Sequence, residues 1–225
     1  MPTARFLGHA CVTVSDGTHN FIIDPFLNGN PLAAAKPENI KCDYIILTHG
    51  HDDHFGDTVI IAKNNNAKVI ANFELAMFCA KQGLDVHDMG IGGSRQFEFG
   101  RVKFTIAHHG SGYGQYADIY TGSPAGVLLT LAGKTLYHSG DTALFYDMKL
   151  IGEMNQIDIA FLPIGDNYTM GVDDAAKAVE FLSPKIVVPI HYNTFPIINQ
   201  DPLDFARKVK SAKVIILKPG ESVDY

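Results

Sequence analysis

The 225-residue chain carries 18 basic against 24 acidic side chains, a formal net charge of −6, which excludes a general electrostatic grip on phosphate backbones and makes nucleic acid an unexpected partner. Hydrophobic residues make up 46% of the sequence, enough for a large core, yet no run approaches the ~18 apolar residues of a membrane span, so no membrane partner is expected. Cys11, Cys42 and Cys79 are odd in number, widely spaced and set in apolar surroundings, which reads as reduced thiols; with no leader-like N-terminal segment, this points to the cytoplasm.

No linker, charge block or repeat divides the chain, and residues 1–225 read as one domain. Residues 5–7, 11–15 and 20–23 are predicted strands, the last two joined by the hairpin turn Ser15-Asp16-Gly17-Thr18. His9 lies between the first two, where a hydrogen-bonded turn histidine and a functional one both remain open. Asp24 ends the third strand, and Pro25 blocks further ladder hydrogen bonds. Residues 27–42 are small and polar, with Pro31 and Pro37, and form a loop long enough for a lid or a substrate wall.

An apolar run at 45–47 then stops at Thr48-His49-Gly50-His51-Asp52-Asp53-His54. Three imidazoles and two carboxylates in so short a stretch have the composition of a metal site at a strand end. Packing such rings together without a cation costs about 1–3 kcal/mol per unsatisfied group. A tight loop leaving the strand can turn alternate side chains to two sides, giving one ion His49 and His51 and a second Asp53 and His54. Each zinc-like ion needs about three to four protein ligands, so further ligands are expected elsewhere.

Beyond the cluster, residues 58–63 predict a short helix, 68–71 a strand, 73–82 a helix closed by Gly83, and 96–99 with 102–107 a hairpin. That hairpin runs into His108-His109-Gly110-Ser111-Gly112. Bulky Val102, Phe104 and Ile106 alternate with Lys103, Thr105 and Ala107, so continued alternation puts His108 on the bulky face and leaves His109 as the ligand candidate. A further hairpin, 126–131 with 134–138, delivers Ser139-Gly140-Asp141-Thr142. Asp141 is placed either to bridge two cations or to cap a helix over 143–154, and His138 to pack nearby. The last third alternates strands at 157–162, 186–190 and 213–217 with helices at 172–182 and 202–210, which argues for helices packed over a mixed sheet. His191 follows one of these strands, the third apolar strand to end on histidine.

The His49-x-His51-x-Asp53-His54 signature, followed by Phe55-Gly56, resembles the metallo-β-lactamase superfamily of binuclear metal hydrolases. Gly8-His9-Ala10, Ile23-Asp24-Pro25-Phe26, His138-Ser139-Gly140-Asp141-Thr142, residues 165–171 and Pro189-Ile190-His191-Tyr192 extend the likeness across nearly the whole chain. Together they resemble a compact branch of metal-dependent hydrolases (UPF0173-like) related to ascorbate-phosphate lactonase. The resemblance implies an α/β fold, a four-layer αβ/βα sandwich with mixed sheets and ligands at one edge. It also implies that Asp24 orients a ligand histidine, a role supported by the acceptor that a metal-bound imidazole needs for its other N–H. His9, by the same likeness, would look into the active-site mouth and contact substrate.

The expected function is therefore hydrolysis by a hydroxide held between two divalent cations, on a small polar ester, lactone or phosphodiester. His49, His51 and His109 are assigned to one ion, Asp53, His54 and His191 to the other, and Asp141 between them; Asp53 also steers the hydroxide or accepts its proton. Three imidazoles favour zinc, with manganese or iron compatible with the mixed donors. The partner expected is a small molecule, with substrate walls from residues 27–42, 111–120 and 165–171, and a homo-oligomer is left open. Two other readings are a nucleic-acid phosphodiesterase of the same superfamily, disfavoured by charge, and a non-catalytic metal-binding domain.

Overall fold

Strands form where an apolar run can be covered on both faces, and the computed structural model, which describes residues 1–225, shows how. The N-terminal half contributes β1 (Thr3–Gly8), β2 (Cys11–Ser15), β3 (Asn20–Ile23), β4 (Tyr44–Ile46), α1 (Asp52–Phe55), α2 (Thr58–Asn65), β5 (Lys68–Asn72), α3 (Phe73–Lys81) and β6 (Val86–Met89). Then follow β7 (Ser94–Phe97), β8 (Gly100–Ile106), β9 (Gly112–Tyr113), β10 (Ile119–Tyr120), β11 (Ala125–Leu131), β12 (Lys134–His138), α4 (Met148–Met154) and β13 (Ile159–Pro163). The chain closes with α5 (Val172–Leu182), β14 (Ile186–Ile190), α6 (Pro202–Lys208), β15 (Lys213–Val214) and β16 (Ser222–Asp224).

Two seven-stranded sheets result, in the orders β16-β1-β2-β3-β4-β5-β6 and β15-β14-β13-β12-β11-β8-β7. Each is mixed. The hairpins β1–β2, β2–β3, β7–β8 and β11–β12, with β16 added to β1 and β11 to β8, make the antiparallel part, while β3 to β6 and β12 to β15 run parallel. Between the sheets lies a core that joins Phe6, Val12, Phe21 and Ile46 to Phe104, Val127, Phe161 and Val188. Ile45 and Leu47 face the other way, onto a second cluster with Ile61, Leu75 and Cys79 of α2 and α3. This two-sided burial is why β4 reads as an unbroken apolar run, as parallel central strands do. A third cluster seats α4, α5 and α6 on the far sheet through Met148, Ala178, Val179, Leu182 and Phe205. The layers are thus helix, sheet, sheet, helix, the sandwich that the resemblance implied.

Several local expectations change. The helix expected over 143–154 covers only Met148–Met154. Its first turn is pre-empted by long-range backbone bonds: Ala143 N donates to His108 O at 3.1 Å and Met170 N to Thr142 O at 3.0 Å. The strand expected at 213–217 is confined to Lys213–Val214, and the helix expected to 210 stops at Lys208. The half-exposed edge strands β6 and β16 and the β9–β10 hairpin carry no apolar pattern and were not expected. The loop 27–42 folds over the outer face of the first sheet, where Ala34 N donates to Leu7 O at 3.0 Å. There it lines, with Arg5 and Lys41, a cavity of about 450 Å³ that contains no histidine, so it is not a wall of the site described below.

Candidate metal centre

Every candidate ligand lies where a strand ends at one edge of the sandwich. His9 follows β1, Asp24 follows β3, His49 follows β4, His109 follows β8, Asp141 follows β12 and His191 follows β14. In open α/β sheets the carboxyl ends of strands are where ligands collect. Three of these positions, His9 (φ 57°), Asp24 (φ 47°) and His191 (φ 54°), adopt a left-handed backbone uncommon for residues with a side chain. The first and last are tied together, with His191 N donating to His9 O at 2.7 Å, so the two halves of the sandwich meet at the site. Gly140 (φ 60°) lets the chain turn so closely that an added Cβ would sit 2.8 Å from Ala125 O.

The signature segment is not a loop throughout. After the irregular residues 47–51, Asp52–Phe55 form one helical turn, α1, and this turn separates Asp53 and His54 from His49 and His51. The ring nitrogens of His49, His51 and His109 lie within 4.8 Å of one another, as do ligand atoms of His9, Asp53, His54 and His191. Asp141 lies between the groups. Its Oδ1 is 3.3 Å from His54 Nε2, and its Oδ2 is 3.0 Å from His191 Nε2 and 3.5 Å from His109 Nε2. All seven expected ligands are therefore brought together. His109 joins them although the strand ends at Ile106, whose side chain is 40% exposed, so strand alternation is not the reason. His108 points outward against Phe145.

The hydrogen bonds around the cluster fix its tautomers. The Asp24 carboxylate, fully buried, accepts from Thr48 N at 2.9 Å, Thr48 Oγ1 at 2.6 Å and His54 Nδ1 at 2.7 Å. Because the Thr48 hydroxyl gives its one proton to Asp24, it can only accept from His49 Nδ1, 2.9 Å away. Both His49 and His54 thus carry a proton on Nδ1, which leaves Nε2 as the nitrogen each can offer to a metal. His54 Nε2, Asp141 Oδ1 and His191 Nε2 are buried without a hydrogen-bond partner. Partnerless polar atoms converging in one cluster are what a cation satisfies, so these residues fit a metal.

The electrostatics agree. Burial disfavours a charged His54, but the Asp141 and Asp24 carboxylates on either side outweigh it and raise its pKa well above the usual value. His191, also penalised by burial, is raised to about 9, chiefly by Asp141. Asp141 itself, despite burial, is held well below the carboxylate range by the His191 and His54 rings. Burial and the neighbouring His54 keep His49 neutral. Without a metal, then, His54 and His191 beside Asp141 recruit protons, whereas burial keeps His49, His51 and His109 from charging.

His9 differs from expectation. Its side chain is fully buried and lies behind Asp53, not at the mouth. Burial and the adjacent His191 lower its pKa to about 4. As a neutral ring it can give only one proton, and the Asp53 carboxylate, 3.1 Å from Nε2, must receive it; Nδ1 then accepts from Thr194 Oγ1 at 2.9 Å. His138 packs as expected, its Nε2 2.9 Å from Ala10 O and its Nδ1 accepting from Gly140 N. Sequence reading missed Thr48 and Thr194, because a lone threonine beside a histidine carries no pattern.

Above the cluster opens a pocket of about 290 Å³, lined by His51, Asp53, His109, Asp141 and His191 below and by Gly112, Gly114, Ala117 and Tyr168 around the rim. Two of the three expected walls are present. The rim comes from the β9–β10 hairpin and the 165–171 turn. Asp52 Oδ1 accepts from Gly114 N at 3.2 Å and so holds the hairpin over the metal-binding segment.

Comparison with known proteins agrees with this architecture. Residues 19–192 match the β-lactamase superfamily domain. The chain is 56% identical over 221 residues to a UPF0173 metal-dependent hydrolase of Bacillus licheniformis, covering 97% of each. It is also 56% identical over 220 residues to the UPF0173 metal-dependent hydrolase YtkL of Bacillus subtilis, covering 96% of this chain and 97% of that one. Among solved structures it superposes on Igni18, a metallo hydrolase from the archaeon Ignicoccus hospitalis, with a TM-score of 0.91 and 35% identity over 99% of this chain and 97% of the other. By its sequence, its layered fold and its strand-end cluster of histidines and aspartates, the chain belongs to the metallo-β-lactamase superfamily, in the UPF0173 family of metal-dependent hydrolases.

Proposed function

We propose that the protein is a binuclear hydrolase acting on a small polar ester, lactone or phosphodiester. The observation that carries this reading is the position of Asp141, within 3.5 Å of histidines from both ligand groups. His49, His51 and His109 hold one divalent ion and Asp53, His54 and His191 the other, with zinc favoured and manganese or iron compatible with the mixed nitrogen and oxygen donors. Bound in this way, the pair supplies Lewis acidity and a water acidified toward pH 7.

The residues do the rest. Asp24 and Thr48 hold two imidazoles in the tautomer that presents Nε2. The Nε2–H of His9 donates to Asp53 Oδ2 and so orients the carboxylate that would hold its ion and steer the attacking water or take its proton. Gly112, Gly114 and Tyr168 bound a space of about 290 Å³, which suits a small metabolite. Asp53, 31% exposed, faces that open space, which favours catalysis over a closed metal-storage site. Three buried, unpaired thiols suit a reducing cytoplasm. A homo-oligomer is compatible with this reading, and neither nucleic acid nor membrane is required by it.

The test is hydrolysis of a panel of lactones, esters, amides and phosphodiesters by chelator-stripped protein and by the same protein reloaded with zinc, manganese or iron. Turnover that appears on reloading is expected. Bound metal without turnover on any compound would leave the non-catalytic reading.

A further inference from the structure

We infer that the pocket selects substrates without negative charge, a small neutral or cationic ester, lactone or amide, and discriminates against phosphorylated compounds and phosphodiesters. This inference deepens the hydrolase reading and rests on it. Its basis is the charge distribution of the whole catalytic edge. No lysine or arginine lines the pocket. The segments that build this edge, residues 24–26, 47–58, 107–124, 139–147, 164–171 and 191–201, contain none of the chain's 18 basic side chains. They do contain exposed acids at the rim: Asp52 beside the ligand segment, Asp118 in the hairpin and Asp166 in the turn that carries Tyr168.

Two divalent ions do not reverse this balance. Their four positive charges are met by Asp24, Asp53 and Asp141 within the cluster and by Asp52 at its edge, so four minus four leaves no formal surplus. Phosphate recognition calls for charge-assisted donors, usually guanidinium or ammonium groups or a set of free backbone N–H groups. Here the Gly114 N–H at the rim is already given to Asp52. A phosphate attracted to the ions would meet no side-chain cation in the pocket, and Asp118 and Asp166 add uncompensated negative charge at its rim. An acyl group needs none. Its carbonyl is polarised below, while the Tyr168 ring and the glycine-rich hairpin offer apolar contact and a hydroxyl above.

The experiment uses metal-loaded, full-length protein and three amides of matched size that end in a hydroxyl, a phosphate or a trimethylammonium group. Binding is measured calorimetrically at low and high sodium chloride, and the matching esters are assayed for turnover. The phosphate amide should bind at least about fivefold more weakly than the hydroxyl amide at low salt, with the gap narrowing as salt screens the rim. The cationic amide should equal or exceed the neutral one and weaken with salt. Tighter binding of the phosphate amide, or no binding of any of the three, overturns the inference. If none of the esters turns over while the binding order holds, the hydrolase reading fails and the charge selectivity stands.

Discussion

Replacing Asp24 by Asn tests the tautomer argument with almost no change of shape. Asn retains one oxygen for Thr48 N, but its amide NH2 then faces two donors, the Thr48 hydroxyl and His54 Nδ1–H. To relieve this, His54 must move its proton to Nε2, the nitrogen that faces Asp141 at 3.3 Å and is assigned to the metal. Loss of such an orienting acceptor costs about 10–100-fold in metal affinity, or about 1.4–2.7 kcal/mol. Chelator-competition titration with zinc measures it, and far-UV circular dichroism checks that the fold persists. Thr48→Val should weaken the His49 site by a similar factor, because Thr48 Oγ1 is the acceptor for His49 Nδ1. Affinity within about twofold of the parent in Asp24→Asn, in a folded protein, would refute the tautomer argument.

Asp141→Asn should lower occupancy of both metal positions, whereas His191→Ala should empty mainly one, as metal content of the two purified variants would reveal; equal and small losses contradict the assignment. Stability of metal-free protein should depend on pH with a defined sign. The folded-state pKa of His191, about 9, exceeds its ordinary value, so its contribution is complete below about 6.5 and is lost as pH rises through about 9. On the order of 3 kcal/mol is at stake, and thermal melts with chelator should show a decline over that window that metal-loaded protein lacks. A melting temperature that rises from pH 7 to 9 in chelator would contradict it. Gly50→Ala would push its Cβ into the buried Thr121 side chain, with Thr121 Cβ at 2.8 Å. The expected cost is about 1–3 kcal/mol, about 2–12 °C in melting temperature for a chain of this size, and an unchanged melt would show that this contact yields freely.

The candidate ligands that the structure brings together were legible in the sequence because each follows an apolar strand that has to stop, and a buried strand ending in imidazole or carboxylate has few bland explanations. His49, His51, Asp53 and His54 were found by density, and Asp141 and His191 by recurrence of that ending. The pairing of Asp24 with Thr48 and His54 was legible only in part, since 24 and 30 residues separate these partners and only the sheet brings them together. The helix expected to begin at Ala143 failed because local propensity cannot anticipate backbone bonds to His108 and from Met170. The loop 27–42 had the composition of a lid, but composition does not say which face of a sheet is left uncovered. His9 was misplaced for a similar reason. The glycine before it marks a turn, and whether that turn faces solvent or the opposite sheet is decided by His191, far away in the chain.

The central claim is that seven side chains hold two ions with Asp141 between them, and metal stoichiometry tests it most directly. Stripped protein titrated with zinc to saturation, desalted and measured by elemental analysis against protein concentration should contain two ions per chain, falling toward none in Asp141→Asn. A single ion per chain at saturation in the parent protein, with no gain on adding manganese or iron, would contradict the account.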